Sequence, residues 1–217
     1  MPTRSGGDPR ISRVEELLNQ LFPEHSWSSG TVGALFTWLD LLLQWNRKID
    51  LTAARTDDEL FDLFLADAVI LHRARMELGP SSYWLDVGSG AGAPGLAMAI
   101  LDPSLRIELA EPNAKRVAFL RQVIGRLRLS QVRVHGGRVE ELKPGIADDV
   151  VSRATWAPGT WLTRGMPLAK QRLWILLARE QWQSCSEHVV VYDRSYCWPL
   201  TGVQRRVLAV ARVQEHS

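Results

Sequence analysis

With 217 residues, 46% of them hydrophobic and 23% charged, the chain can bury a sizeable core but is too short for two full domains, so one domain with an extension is the economical organisation. A formal net charge of +2 neither demands nor excludes a nucleic-acid partner, and the two cysteines, Cys185 and Cys197, lack partners at metal-ligand spacing, which argues against a disulfide framework or metal site and fits a reducing compartment. No apolar run approaches the roughly 18 residues of a membrane span, and the start of the chain lacks a signal-peptide stretch, so a soluble cytoplasmic protein with no membrane partner, acting as a monomer, is expected.

Residues 1–10 carry two glycines and two prolines and read as a disordered leader. Residues 11–80 read as a helical extension. Val14, Leu17, Leu18, Leu21 and Phe22 recur at helical spacing until Pro23. A second helix is predicted over 31–45, with Leu35, Leu39 and Leu42 on one face. A third begins at Thr56-Asp-Asp-Glu59, whose spacing is that of a capping box, and runs on from Leu60 to Leu71. From Tyr83 short apolar runs alternate with helical ones, the pattern of βαβ units on a parallel sheet, which makes 81–217 an α/β domain. Strands are predicted near 83–87, 106–110, 131–135, 148–152, 172–178, 188–193 and 204–212. Helices are predicted near 94–101, 115–128 and 158–167, and Pro144-Gly145 marks one crossover as short or irregular. The last two strands, joined through Pro199 and Gly202, are expected to pair antiparallel and close the sheet edge.

The chemistry concentrates in Trp84-Leu-Asp-Val-Gly-Ser-Gly-Ala-Gly-Ala-Pro-Gly95, an apolar strand that runs into a glycine-rich turn and then a helix. Such a turn lets backbone approach a ligand closely, and the helix N-terminus beyond it presents unpaired N–H groups. Gly90-x-Gly92-x-x-Gly95 formally satisfies a dinucleotide fingerprint, but a glycine directly after the strand would be Gly88, and that frame then requires glycine where Ala93 stands. Gly88-x-Gly90-x-Gly92 behind an acidic strand end instead suits S-adenosylmethionine (SAM). Asp86 is placed for the amino-acid part of that cofactor, where a pyrophosphate would be repelled. Glu111, ending the next strand, suits ribose hydroxyls, and Gly136-Gly-Arg-Val-Glu-Glu141 offers a backbone amide and carboxylate to an adenine edge.

Five segments together resemble the bacterial 16S ribosomal RNA guanine-N7 methyltransferases, also called glucose-inhibited division protein B: Trp45-Asn46-x-Lys48-Ile-Asp-Leu-Thr52, the glycine loop, Lys115-Arg-Val-Ala-Phe-Leu120, Gly137-Arg-Val-Glu-Glu141 and Val151-Ser-Arg-Ala154. The resemblance covers roughly residues 30 to 212. It implies a class I SAM-dependent methyltransferase with a Rossmann-like fold: a mostly parallel seven-stranded sheet with an antiparallel last strand, preceded by the helical segment. It also implies cofactor contacts at Gly88, Ala93, Val139, Glu140 and Arg153, with Arg153 where cofactor and RNA meet, and S-adenosylhomocysteine as product. Two positions depart from the family pattern. Phe64 stands where the family has histidine, and the fifth strand, Trp174-Ile-Leu-Leu-Ala-Arg-Glu180, lacks a lysine-glycine pair.

Guanine N7 needs no base to free its lone pair, so positioning and electrostatics carry such a reaction. Asp67 or an aromatic face is a candidate to favour the cationic purine that forms, although an aspartate in a helical bundle also serves as a structural partner. Lys115, Arg116, Arg121, Arg126, Arg128, Arg133 and Arg138 occur without a carboxylate between them and suit phosphates or a solvated helix face. Trp45, Trp156, Trp161 and Trp198 are candidates to stack on a base, against a packing role for most tryptophans. The leading substrate is 16S rRNA or the small ribosomal subunit. A small heteroaromatic metabolite and a non-enzymatic binding module are the alternatives.

Overall fold

In the computed structural model, which describes residues 8–79, 81–178, 182 and 187–213, the chain enters its first helix at once. Asp8 accepts from the Arg10 amide and Pro9 occupies the first turn, so α1 (Pro9–Leu21) begins inside the stretch expected to be a leader. Residues 1–7, Arg179 and Cys185 lie outside the described residues. Helix α2 (Ser29–Asn46) is capped by Ser28, whose hydroxyl accepts from the Thr31 amide at 3.0 Å. Its last residue holds the turn that follows: Asn46 Oδ1 accepts from the Leu51 and Thr52 amides, and its Nδ2 donates to the Thr52 carbonyl. The Trp45-Asn46…Leu51-Thr52 motif is therefore a local staple.

The third helical stretch is continuous but not uniform. Thr56 caps α3 (Asp57–Phe61) by accepting from the Glu59 amide, while the Glu59 carboxylate reaches back to the Arg55 amide, one residue before the cap. A π-helical turn, Asp62–Ala66, then leads into α4 (Asp67–Leu78). π turns widen a helix by a residue and redirect its side chains and carbonyls, and they concentrate at functional sites.

The sheet comprises β1 (Tyr83–Val87), β2 (Arg106–Ala110), β3 (Val132–His135), β4 (Ala147–Ser152), β5 (Ala169–Leu177), β6 (His188–Cys197) and β7 (Gln204–Arg212). Their order is β3-β2-β1-β4-β5-β7-β6, with β7 antiparallel to both neighbours and the first five strands parallel. Helix α5 (Gly95–Leu101) links β1 to β2, α6 (Ala114–Leu127) links β2 to β3, and α7 (Pro158–Gly165) links β4 to β5. The β3–β4 crossover carries only a 3₁₀ turn, Val139–Glu141, as Pro144-Gly145 led one to expect. This is the class I SAM-dependent methyltransferase fold, in which both sheet faces are covered and ligands sit beyond the carboxyl ends of the strands where their order reverses.

One core lies between α1–α6 and the sheet, joining Leu17, Leu35 and Leu65 of the amino-terminal helices to Trp84, Phe119 and Trp174. The second lies on the opposite face beneath α7, around Leu85, Val87, Trp161 and Leu173. The amino-terminal helices thus share a hydrophobic core with the sheet. They also touch the ligand end of the sheet directly, because buried Trp38 of α2 donates its indole N–H to the Ala91 carbonyl at 3.1 Å.

Candidate active site

The glycine turn begins where β1 ends. Gly88, Gly90 and Gly92 all have positive φ, at 73°, 58° and 108°, a region that costs any side-chain-bearing residue. Gly88 is constrained in a second way, since a Cβ there would lie 2.5 Å from Thr155 Oγ1 of the loop after β4. Gly95 has ordinary backbone angles but no room, as a Cβ would lie 2.7 Å from Asp86 Oδ2 and 2.8 Å from Leu109. The absence of that Cβ lets α5 settle onto β1, and the Gly95 amide donates to Asp86 Oδ2 at 2.9 Å. Gly95→Ala is expected to push α5 off β1 and lower unfolding stability by about 1–3 kcal/mol, with SAM affinity falling in parallel. Denaturant titration and calorimetry check the two effects.

Asp86 is 1% exposed, and its second oxygen, Oδ1, has no hydrogen-bond partner. Burial pushes its carboxyl up to about 7 from an ordinary 3.8, against the opposing pull of the Gly95 amide and the Arg153 charge. A buried carboxylate with an unfilled lone-pair direction beneath a glycine turn is what a cationic ligand group requires. Glu111, also buried, closes the cradle from β2. Its Oε2 accepts from the Gly90 amide and its Oε1 from the Asn113 amide, both at 2.8 Å. Each oxygen retains a lone pair for a hydroxyl. Ala93 is buried within the same turn. Asp86, Gly88, Gly90, Gly92, Ala93 and Glu111 thus form one cluster whose charge and hydrogen-bonding groups fit SAM.

Val139 and Glu140 lie at the corresponding end of β3 in the 3₁₀ turn, but the exposed Glu140 carboxylate turns away to pair with Arg164 of α7. A hydrogen bond from its own backbone amide, and after it the Arg164 pair and the Arg138 charge, hold Glu140 below the usual carboxylate range. The backbone of this turn, rather than the carboxylate, is the group left for a ligand.

Beyond β4 the chain turns through Ser152-Arg153-Ala154-Thr155, with Ala154 at a φ of 53°. Ser152 donates its hydroxyl to the Val87 carbonyl at 2.8 Å, which ties this turn to the glycine loop. Arg153 donates to the Leu63 carbonyl of the π-helical turn and lies 3.6 Å from Asp67 Oδ2 and 5.8 Å from the Phe64 ring centroid. Phe64 is 3% exposed and packs edge-on against Trp38 at 5.6 Å, so this departure from the family pattern is a core residue here. Asp67 is likewise buried. Its Oδ1 accepts from the Tyr196 hydroxyl at 2.7 Å and the Trp198 indole at 2.8 Å. Burial, reinforced by that carboxylate, raises the Tyr196 hydroxyl well above its usual range and keeps it a donor. With Oδ1 taken by these two donors, Asp67 turns Oδ2 to Arg153 and also lines the cleft beside that arginine.

Arg153 forms part of the rim of a cleft of about 700 Å³, open solvent included, that Trp156, Trp161, Trp198 and Arg205 also line. Three of the four tryptophans singled out from the sequence therefore meet in one place. The fourth, Trp45, packs on Phe119 at 5.6 Å. No short-range pattern announces this convergence, because the residues come from the β4–α7 connection, α7 and the β6–β7 connection. A separate cleft between the ends of α2 and α6 gathers Arg47, Lys48, Lys115 and Arg116. None of these four has a carboxylate within 4.0 Å among the described residues.

Residues 32–194 match the family described as rRNA small subunit methyltransferase G. The chain belongs to this family. Ribosomal RNA small subunit methyltransferase G of Halorhodospira halophila is 37% identical over 154 residues, 69% of each chain. That of Stutzerimonas stutzeri is 40% identical over 121 residues, so the match spans about half (55%) of each of those two chains. Among solved structures, M. jannaschii TYW2 in complex with AdoMet aligns with a TM-score of 0.53 at 13% identity, covering 77% of this chain and 80% of that one. TrmN from Thermus thermophilus aligns with a TM-score of 0.51 at 18% identity, covering 67% and 49%. These distant likenesses concern the fold, while family membership makes the chain a SAM-dependent methyltransferase.

Proposed function

We propose that the chain transfers the methyl group of SAM to N7 of a guanine in 16S rRNA, acting in the cytoplasm as a monomer on the small ribosomal subunit. One observation carries the reading: Thr155 belongs both to the wall of the glycine turn and to the rim of the aromatic cleft, so cofactor cradle and substrate space adjoin. Asp86, Glu111 and the glycine turn hold the cofactor, which supplies an activated methyl group on its sulfonium. Guanine N7 carries a free lone pair, so no residue has to remove a proton, and the protein's contribution is to exclude water and fix the approach. Arg153, held by Asp67 and the Leu63 carbonyl, fixes the floor between the two sites. The four cations around Arg47 and Lys115, which outnumber Asp50 in the same cleft, suit an RNA backbone, and they favour RNA over a small heteroaromatic metabolite. No helix among the described residues is long and apolar enough to cross a membrane.

The test is transfer of labelled methyl from SAM to small-subunit RNA from cells lacking the modification, presented naked and as assembled subunits. Incorporation at guanine N7 is expected, with KM for RNA rising steeply with salt. SAM binding without incorporation into either substrate would overturn the assignment. In the same assay Arg153→Ala is expected to lower kcat about 100-fold. Asp67→Asn, which keeps an acceptor for Tyr196 or Trp198 but loses the charge beside Arg153, is expected to cost about tenfold. An Asp67→Asn enzyme with unchanged turnover would remove this residue from the machinery.

A further inference from the structure

The cleft beside Arg153 has a composition that the transfer reaction alone does not require. Trp156 is half-buried at its rim, stacks on buried Trp161 with centroids 5.6 Å apart and planes within 6°, and has the Arg164 guanidinium 5.5 Å from its ring centroid, a surface ion-paired side chain that an entering base would displace. On the other side Trp198 carries the Arg205 guanidinium 4.0 Å above its ring. Two flat surfaces therefore border one cavity. The polar groups that line it are unbalanced. Asp67, the carboxylate among them, is committed to Tyr196, Trp198 and Arg153. Ser152 and Thr155 bond to each other and to backbone carbonyls. Arg205, which lines the cleft, donates to the Gln204 carbonyl through Nη1 and has no carboxylate partner among the described residues, so it has donors beyond that one bond. Among the described residues the cleft thus presents donors, and the one side-chain carboxylate lining it is held by Tyr196, Trp198 and Arg153.

We propose that this cleft is a receptor for a single purine base extruded from its stack, held against Trp156, and that the Arg205 guanidinium reads its six-position. The proposal rests on the RNA reading above and deepens it by naming the residues that choose the base. Guanine presents acceptors at both N7 and O6, whereas adenine presents N7 beside an N6 amino donor. A guanidinium next to the reacting nitrogen therefore accepts the guanine edge and repels that of adenine. Extruding a base costs stacking and pairing, and an aromatic platform with a guanidinium plane restores stacking without the rest of the strand. Methylation then makes the base cationic in a cleft flanked by Arg153 and Arg205, which favours release of the product.

Methyl transfer to assembled small subunits lacking the modification provides the test, with S-adenosylhomocysteine affinity measured on every variant by calorimetry. Trp156 is half-buried at the rim, so Trp156→Ala should leave the fold and the S-adenosylhomocysteine affinity intact. It is expected to lower kcat/KM for subunits about 10- to 100-fold, and Trp156→Phe is expected to recover most of that loss. For the reading of the six-position, subunits are rebuilt on transcripts carrying adenine at the guanine that the wild-type enzyme is found to modify. Wild-type enzyme is expected to act on them at least about tenfold more slowly. Arg205→Gln, whose amide both donates and accepts, is expected to shrink that ratio, a change that loss of packing alone would not produce. Equal turnover by Trp156→Ala and wild type, or an unchanged guanine-to-adenine ratio in Arg205→Gln, overturns the base receptor while the RNA reading stands. A wild-type enzyme that binds cofactor yet modifies no subunits overturns both.

Discussion

Replacing Asp86 with Asn is expected to weaken SAM binding about 10- to 100-fold while making the ligand-free protein more stable at pH 8. The two effects have one origin. The carboxyl is fully buried with Oδ1 unpartnered, and burial pushes it up to about 7. Because the folded protein holds this proton more tightly than the unfolded chain, stability is greatest where the group is protonated. It falls as pH rises from the ordinary carboxylate range through about 7. Above that, the ionised group is a standing cost that Asn lacks, worth about 1 kcal/mol or more. The ammonium group of the cofactor's amino-acid part reverses the balance by favouring the ionised form. SAM affinity is therefore expected to drop up to about tenfold per pH unit as pH falls below about 7, and to lose that dependence in Asp86→Asn. Calorimetric titrations between pH 5.5 and about 8 with thermal melts of both proteins decide it. A parallel pH profile in the variant would place the titrating group elsewhere.

The sheet and its turn were legible because their information is local. All seven predicted strands form. β1, β2 and β7 match their predicted bounds, and the capped starts of α3 and α6 follow from side chains a few residues from the backbone groups they satisfy. Gly88, Gly90 and Gly92 announce their positive φ by being glycine. β6 ran past its predicted end, continuing to Cys197 because its alternating edge pattern is sustained by pairing with β7 and not by apolar content. The π-helical turn was invisible. It is fixed by partners far along the chain: Asp62 accepts from the Leu200 and Thr201 amides, and the Leu63 carbonyl accepts from Arg153. Asp67 shows the limit for function as well. Its residue type suggested either a carboxylate facing substrate or a structural partner, and only the tertiary arrangement, with Tyr196 and Trp198 arriving from β6 and the turn beyond it, shows Oδ1 taken by those two donors and Oδ2 turned to Arg153 at 3.6 Å.

The loss expected to be largest for stability lies at the other end of the strands, where function should be untouched. Asp149, fully buried on β4, accepts from Arg172 Nε at 2.7 Å, from Arg172 Nη2 at 2.9 Å and from the Trp174 indole at 2.7 Å. Asp149→Ala strips a buried guanidinium of its counter-charge and leaves the indole donor unpaired, which is expected to cost about 3–5 kcal/mol. For a chain of this length that corresponds to a melting temperature lower by about 10 °C or more. Adding Arg172→Met to Asp149→Ala removes the stranded charge and is expected to restore much of the loss, because a well-packed apolar pair in a core is often as stable as the ion pair it replaces. Asp149 pairs in register with Trp84, three residues before β1 ends at Val87 and the glycine turn begins, so neither variant alters the cofactor cradle directly. Below its melting transition, Asp149→Ala is therefore expected to keep kcat/KM close to that of the wild type. A catalytic defect as deep as that of Arg153→Ala at such temperatures would show that the base of the sheet is coupled to the site more tightly than its packing implies.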